Sequence, residues 1–287
     1  MNRAQSGFRP RFFVDAGAVA SGRIAPGVSA ERTAHGVFSA DSAHHVSESV
    51  PIEVALDAED SHHATKVLRL RPGDECEVVI APTGAVCVAW VSAVGDPVRL
   101  RVGRCLEGDA AGASYRGEVW LVQALARPAV MDYIIEKGTE VGASRFLLFP
   151  AAGSPRLAED SLAGRLTRWQ KVAREAAKQS KQVSIPAVDV AGSLHAAAEW
   201  ARDRDAFSMV LEPGASKSLD KAVGGIRGNS RGTVAVWIGP ESGWTQEELD
   251  GFAAGGVEPV RLGRSVLRAE TAGPVAVALV RLGLRDW

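Results

Sequence analysis

Residues 234–252 read VAVWIGPESGWTQEELDGF. An apolar run, Val234 to Ile238, stops at Gly239-Pro240, and a helix signature opens at Thr245. Glu248 follows Thr245 by three residues, the spacing at which each side chain can satisfy the other's backbone donor at a helix start. The stretch predicts a strand, a tight turn carrying one carboxylate (Glu241), and a helix. In α/β proteins ligands bind at such junctions, outside the carboxyl ends of the strands.

The same alternation runs through the chain from residue 118. EVWLVQAL reads as a strand and AVMDYIIEKGTEVGA as a helix stopping near Gly142. RFLLFP is a strand, a long helix runs from Ser161 through SLAGRLTRWQKVAREAAKQSKQV, and LHAAAEWARDR is another helix. The strands AFSMVLEP, TVAVWIGP and VEPVRLG and a final helix TAGPVAVALVRLGL follow. Alternating strands and helices predict a parallel sheet covered on both faces.

The first third is different. RPRFFV, the two halves of DECEVVIAPTGAVCVAWVSAV around Pro82-Thr83-Gly84, and PVRLRVGRCL alternate as strands, with one short helix over Ser61–Leu70. These predict a small β barrel. Residues 15–49 are rich in Ala, Gly and Ser without a period and read as a loop insertion. Its His35, His44 and His45 have no cysteine or carboxylate cluster beside them, so no metal site is expected. Residues 107–117, EGDAAGASYRG, read as a linker, which places domains at 1–110 and 115–287.

The 287 residues are 46% hydrophobic and 23% charged, a globular balance. No apolar run is long enough for a bilayer, and the start lacks the apolar stretch of a secretory signal. Cys76, Cys87 and Cys105 form no CxxC pair and read as buried free thiols of a cytoplasmic protein. Net charge is −1, split as 11 basic against 14 acidic side chains over 1–114 and 22 against 20 over 115–287. Any nucleic acid must therefore be held by local patches.

The α/β half has no GxGxxG after its first strand, no P-loop, no GxSxG elbow and no HExxH. A nicotinamide dehydrogenase is thereby made remote. Three strand ends do carry glycine or proline: Leu211-Glu212-Pro213-Gly214, Ile238-Gly239-Pro240-Glu241-Ser242-Gly243, and Leu262-Gly263-Arg264-Ser265. Together with VLRAETA (266–272) they predict one pocket built from three consecutive loops.

IGPESGW followed by LGRSVLRAETA closely resembles the signature of SPOUT-class methyltransferases that modify N3 of a uridine in 16S ribosomal RNA. RPRFF, HHATKVLRLRPGDE, EKGTEVGASRFLLF and RWQKVAREAAKQS occur in the family's order, so the resemblance covers nearly the whole chain except 15–49. It implies an α/β fold: a knotted SPOUT methyltransferase domain behind an N-terminal PUA-like β barrel. It also implies S-adenosyl-L-methionine as cofactor, methylation at uridine 1498 of that RNA, and a homodimer. The partner is small-subunit ribosomal RNA or the assembled subunit, with neither DNA nor membrane involved. Two positions depart from the family: Ser242, where glycine is usual and which would narrow the approach to the cofactor, and Gln182, where a basic residue is common. A ribose 2′-O or tRNA methyltransferase of the same fold, or a non-catalytic RNA-binding module, are the alternatives. HHATKVLRL argues against the first, the intact loops against the second.

The cofactor residues implied are Leu211, Glu212 and Pro213 from the first loop, and Ile238, Gly239, Pro240, Glu241 and Gly243 from the second. Leu262, Gly263, Val266, Leu267, Arg268, Thr271 and Ala272 complete them. Glycine admits close backbone approach, so Gly239→Val is expected to remove cofactor binding while sparing the fold. The N3 proton must leave as the methyl arrives, which calls for a base or for groups that stabilise the uracil anion. Glu140, Glu241 and Glu270 are the nearby carboxylates. Arg268 and Glu270 are the favoured catalytic pair. Alternatively, Glu270 only sits at a helix start, where negative charge is favourable, and Arg268 only pairs with it.

For RNA, the long helix at about 100° per residue puts Leu162, Leu166, Trp169, Ala173, Ala176 and Ser180 on one side. Lys171, Arg174, Lys178 and Lys181 gather on the other, as a phosphate-contacting stripe or a solvated face. Arg9, Arg11, His62, His63, Lys66, Arg69 and Arg71 form a second basic set in the barrel. Alternatively, His62 caps a turn and Arg69 makes an internal ion pair. The dimer is expected to form through the C-terminal domain, with Thr271–Leu284 close to the interface and one chain's barrel presenting RNA to the other's pocket.

Overall fold

The computed structural model describes residues 9–15, 52–106, 115, 117–155, 159–226 and 232–285. Most of the 15–49 insertion, with its three histidines, and most of the 107–117 linker lie outside the described residues. The chain divides into two compact units, residues 1–112 and 113–287.

In the first unit, β1 (Arg11–Asp15), β2 (Ile52–Ala55), β3 (Glu75–Ala81), β4 (Ala85–Ala93) and β5 (Arg99–Cys105) form a sheet in the order β1-β3-β4-β5-β2. Its pairs are antiparallel except β1 with β3. Phe12, Val14, Val54, Cys76, Val78, Ala89, Val91 and Leu100 make its core, closed by Leu56 and Ala64. The helix α1 (Ala58–His62) starts three residues before the expected Ser61, because Asp57 Oδ1 accepts from Asp60 N at 2.7 Å. It continues as a π-helical turn over His63–Val67.

The reading of three free thiols is corrected here. Cys87 and Cys105 face each other across the β4–β5 register and are joined as a disulfide, while Cys76 stays free and buried. Their separation of 18 residues hides a contact that strand pairing creates.

The second unit contains β6 (Glu118–Ala124), β7 (Arg145–Phe149), β8 (Ala187–Val190), β9 (Phe207–Leu211), β10 (Thr233–Ile238) and β11 (Glu258–Val260). These pair, all parallel, in the order β11-β9-β10-β6-β7-β8. The chain runs outward through β6, β7 and β8, then returns to lay β9, β10 and β11 on the other side of β6. That reversal produces a crevice at the carboxyl ends of the strands.

Helices cover both faces, as the alternation predicts. On one face α2 (Pro128–Glu140), α3 (Glu159–Gln179), α5 (Leu219–Ile226) and α7 (Ala269–Gly283) bury Met131, Ile134, Trp169, Val223, Val277 and Val280 against Val119, Leu121 and Val236. On the other, α4 (Leu194–Arg202) and α6 (Gln246–Ala254) bury Ala197, Ala201 and Phe252 against Trp120, Val122 and Trp237. Arg281 of α7 is fully buried, donating to Gly142 O at 2.8 and 2.9 Å and to Gly117 O at 2.7 Å, with Tyr115 stacked 3.9 Å from its guanidinium. The final helix is thereby fastened to the start of β6 and to the α2–β7 turn.

Candidate active site at the strand ends

The quoted stretch folds as its pattern dictates. Thr245 Oγ1 accepts from Glu248 N at 3.2 Å, and Glu248 Oε2 accepts from Thr245 N at 2.9 Å. The other carboxylate oxygen, Glu248 Oε1, accepts from Ala152 N at 2.8 Å, so one side chain fixes the start of α6 and the loop after β7.

The three loops are tied to one another. Trp244 Nε1 donates to Leu211 O at 2.9 Å, binding the second loop to the end of β9. Its ring packs edge-on against Phe252, centroids 4.9 Å apart. Glu212 N donates to Val260 O at 3.0 Å, Arg261 N to Lys217 O at 2.9 Å, and Arg261 Nη1 to Ala215 O at 3.0 Å and to Ser216 O, which fasten the first loop to the third.

Between them lies a cavity of about 380 Å³, within the usual range for small-molecule sites. Of the cofactor residues expected from sequence, Leu211, Glu212, Pro213, Ile238, Gly239, Pro240, Glu241, Gly243, Leu262, Gly263, Val266, Leu267, Arg268 and Ala272 all line it. Thr271, exposed on the first turn of α7, does not. Arg264, Ser265 and Ala269, within the loops expected to build the pocket, also line it, and so do Arg127 and Trp244, which were not expected there. Arg127, just before α2, reaches Glu241 at 3.2 Å, an ion pair between two cavity-lining residues. Val266 (77% exposed) and Leu267 present apolar surface on the third loop, which a soluble face does not need.

The candidate catalytic pair sits at this cavity. Arg268 precedes α7 and its side chain is 87% exposed; Glu270, in the first turn, approaches it only at 3.9 Å. Glu140 is elsewhere: it ends α2, paired with Lys137 at 2.8 Å. Glu140 ends the 13-residue helix that Pro128 begins, and twelve steps of helical rise carry it roughly 18 Å from the strand ends.

Two further expectations change, at Ser242 and Gly239, and Gln182 finds its place. Ser242 does not line the cavity; a Cβ on Gly153 would fall 1.9 Å from Ser242 Oγ, so this side chain packs on the loop after β7. Gln182 is buried, with Nε2 3.4 Å from Thr139 O of α2. A Cβ at Gly239 would come within 3.0 Å of the Trp244 ring, so Gly239→Val disturbs the loop as well as the cavity.

Among the basic residues, α3 turns Trp169, Ala173 and Ala176 inward as expected. Lys171 is exposed and Arg174 half-buried, but Lys178 is buried and paired with Glu175 at 2.7 Å, because its position abuts the inward face. Lys181 follows α3, half-buried, in a left-handed conformation. In the first unit Arg11 is buried against Glu77 (2.9 Å) and Arg9 pairs with Glu75 (2.7 Å). Lys66, Arg69 and Arg71 are exposed, and His63 is half-buried.

A larger cavity of about 1230 Å³ lies on the α4–α6 side, lined by Leu194, Trp237, Phe252 and Val257. It contains none of the strand-end glycine turns of the three loops. Among the described residues no cluster of His, Cys, Asp and Glu could hold a metal ion, and no helix is long and apolar enough to cross a membrane.

Residues 114–281 match the family described as RNA methyltransferase domain, more than half of the chain. The chain belongs to the RNA methyltransferase family. Residues 56–95 match the RNA methyltransferase PUA domain, in agreement with the first unit's sheet. A Mycobacterium bovis protein named ribosomal RNA small subunit methyltransferase E is 29% identical over 246 residues, covering 81% of this chain and 87% of that one. A Bacillus subtilis protein of the same name is 27% identical over 233 residues, covering 79% and 88%. The methyltransferase fold is shared with the Neisseria gonorrhoeae ribosomal RNA small subunit methyltransferase E crystallised with S-adenosyl methionine. That structure has a TM-score of 0.72 at 21% identity, over 96% of this chain and 98% of that one.

Proposed function

We propose that the chain transfers the methyl group of S-adenosyl-L-methionine to N3 of a uridine in small-subunit ribosomal RNA, working as a homodimer. The observation that carries this reading is the cavity where three consecutive strand-end loops meet the start of α7. Its residues suit the cofactor. Gly263 lines it, and a Cβ added there would enter empty space, so glycine leaves room that any other side chain would occupy. Leu211, Ile238, Leu262 and Leu267 offer apolar walls, and the loop backbone offers hydrogen-bonding groups for a flat heterocycle. The cofactor supplies an electrophilic methyl group on a sulfonium.

The chain's own residues handle the proton. Glu270 accepts the N3 proton, and Arg268 places its guanidinium against the negative charge that develops on the uracil oxygens. At 3.9 Å the two are only loosely joined, and the exposed Arg268 is free to turn toward a substrate. Val266 and Leu267 exclude water around the base. The exposed Lys66, Arg69, Arg71 and Lys171 suit phosphate contacts, which orient RNA without reading its sequence.

The dimer is supported by α7 and its neighbour α2. They leave Leu279 (41%), Leu282 (62%) and Tyr133 (48%) exposed on helices whose other large aliphatic side chains are buried or half-buried. Mass spectrometry of ribosomal RNA from a deletion strain tests the reaction: one uridine methyl group is lost, and its position is mapped. An unchanged methylation pattern refutes it. Light scattering of the purified chain at micromolar concentration tests the dimer, which an active monomer refutes.

A further inference from the structure

The basic set expected in the barrel centres on β1 and α1, yet two of its arginines are engaged with Glu75 and Glu77. A different arrangement lies on β4 and β5. Trp90 of β4 stands opposite Arg101 of β5, and Ala93 opposite Arg99. Trp90, Arg99 and Arg101 are all exposed, whereas the alternate positions Val91 and Leu100 point into the core. Among the described residues neither guanidinium has an ion-pair or hydrogen-bond partner. In the strand register the acidic residues opposite them are Glu53, across from Arg101 with no ion pair between the side chains, and Glu75, across from Trp90 and occupied by Arg9.

The indole is held in place. A Cβ on Gly103 would meet Trp90 Cζ3 at 2.3 Å and Cη2 at 2.8 Å, so the six-membered ring rests over β5 where the side chain is missing. Trp90 nevertheless stays 36% exposed. An aromatic ring seated on a sheet beside unpartnered guanidinium groups is the combination that binds single-stranded nucleic acid, because bases stack on the ring while phosphates meet the cations.

We propose that Trp90, with Arg99 and Arg101, forms a platform for an unpaired base of single-stranded RNA, stacking the base on the indole and holding its flanking phosphates. This rests on reading the chain as an RNA-modifying enzyme, but not on the methyl-transfer cavity. An acidic protein segment would use the arginines without needing the indole.

The test uses the full chain and a short, fluorescently labelled oligouridylate, followed by anisotropy over a salt series. Trp90→Ala weakens binding about ten-fold or more, the usual size of a stacking loss. Trp90→Phe keeps most of the affinity. Arg101→Gln lowers the salt slope by about 0.7, the single-strand value for one phosphate contact. S-adenosyl-L-methionine binding by calorimetry stays as in the wild type for all three, which separates this site from the cavity. A wild-type chain that ignores oligouridylate overturns the proposal, as does a folded Trp90→Ala that binds it fully. A Trp90→Phe that loses as much as Trp90→Ala also overturns it, by reducing the residue to packing on Gly103. Should Trp90→Ala fail to fold, Trp90→Phe and Arg101→Gln decide by the same readings. Failure of methylation in the deletion strain would strike the proposed reaction and leave these binding results standing.

Discussion

The substitution Gly263→Leu adds a branched side chain at a residue that lines the strand-end cavity. A Cβ there meets no protein atom within 4 Å, and the backbone is not in the left-handed region, so the folded chain accepts the change without strain. Stability should move by no more than about 0.5 kcal/mol, the usual range for an uncrowded surface position. The cavity, at about 380 Å³, is near the small end of ligand sites and has little room to spare. A cofactor forced to share it meets at least the ~1–3 kcal/mol of an overpacked interior. At about 1.4 kcal/mol per factor of ten, S-adenosyl-L-methionine should bind roughly 5- to 150-fold more weakly. Calorimetric titration gives the affinity, and thermal melting by circular dichroism gives the stability. The contrast is Gly239→Val, which presses on Trp244 and endangers its bond to Leu211 O, and so should lower the melting temperature as well. A Gly263→Leu chain that melts like the wild type and binds the cofactor equally well would refute the assignment of this cavity.

Other perturbations read separate parts of the molecule. Burial, with the Glu77 and Glu75 carboxylates adding to it, pushes the Cys76 thiol up to about 12 from its ordinary 9.0. Because the folded value is raised, the thiol's contribution to stability is complete below about pH 9 and fades as pH climbs toward 12. At pH 8 Cys76 should therefore resist iodoacetamide until urea unfolds the chain; prompt labelling of its peptide in native protein would contradict this. Arg11→Ala removes the ion pair to Glu77 at a site where the arginine side chain is 1% exposed. The first unit should lose about 1–3 kcal/mol in urea titration, while a drop in the salt slope of RNA binding would show that Arg11 reaches phosphate after all. Thr245→Ala removes one cap bond and should cost about 0.5–2 kcal/mol. Glu248→Ala should cost more, since it strands both Thr245 N and Ala152 N; equal losses would break the account of α6.

What the sequence made legible was local pattern. The start of α6, the strand before it and the three turns could be read because their residues interact within a few positions. The cavity lining followed, since consecutive strands in a parallel sheet bring their carboxyl-end loops together. The short elements were not legible. β8 has four residues with Asp189 among them, β2 has four beside the insertion, and α5 carries Gly224 and Gly225 near its end. The added lining of Arg127 comes from the loop after β6, more than 80 residues before the first expected turn, and no spacing signals that proximity. Burial was the other blind spot. Arg11 and Lys178 look like free cations in a one-dimensional reading. Their fates were set by Glu77, on a strand 66 residues away, and by the inward tilt of one edge of α3.

The buried guanidinium of Arg281 has a consequence in time. Its bond to Gly117 O spans 164 residues, joining the segment just before β6 to a helix synthesised long afterwards. At ~5–20 residues per second, the start of β6 waits roughly 8–33 s on the ribosome before the side chain that fastens it exists. The same helix begins with Ala269, Glu270 and Ala272 at the cavity. The event that closes the domain is therefore also the one that completes its site, and a nascent chain lacking α7 has neither a finished sheet face nor a finished pocket.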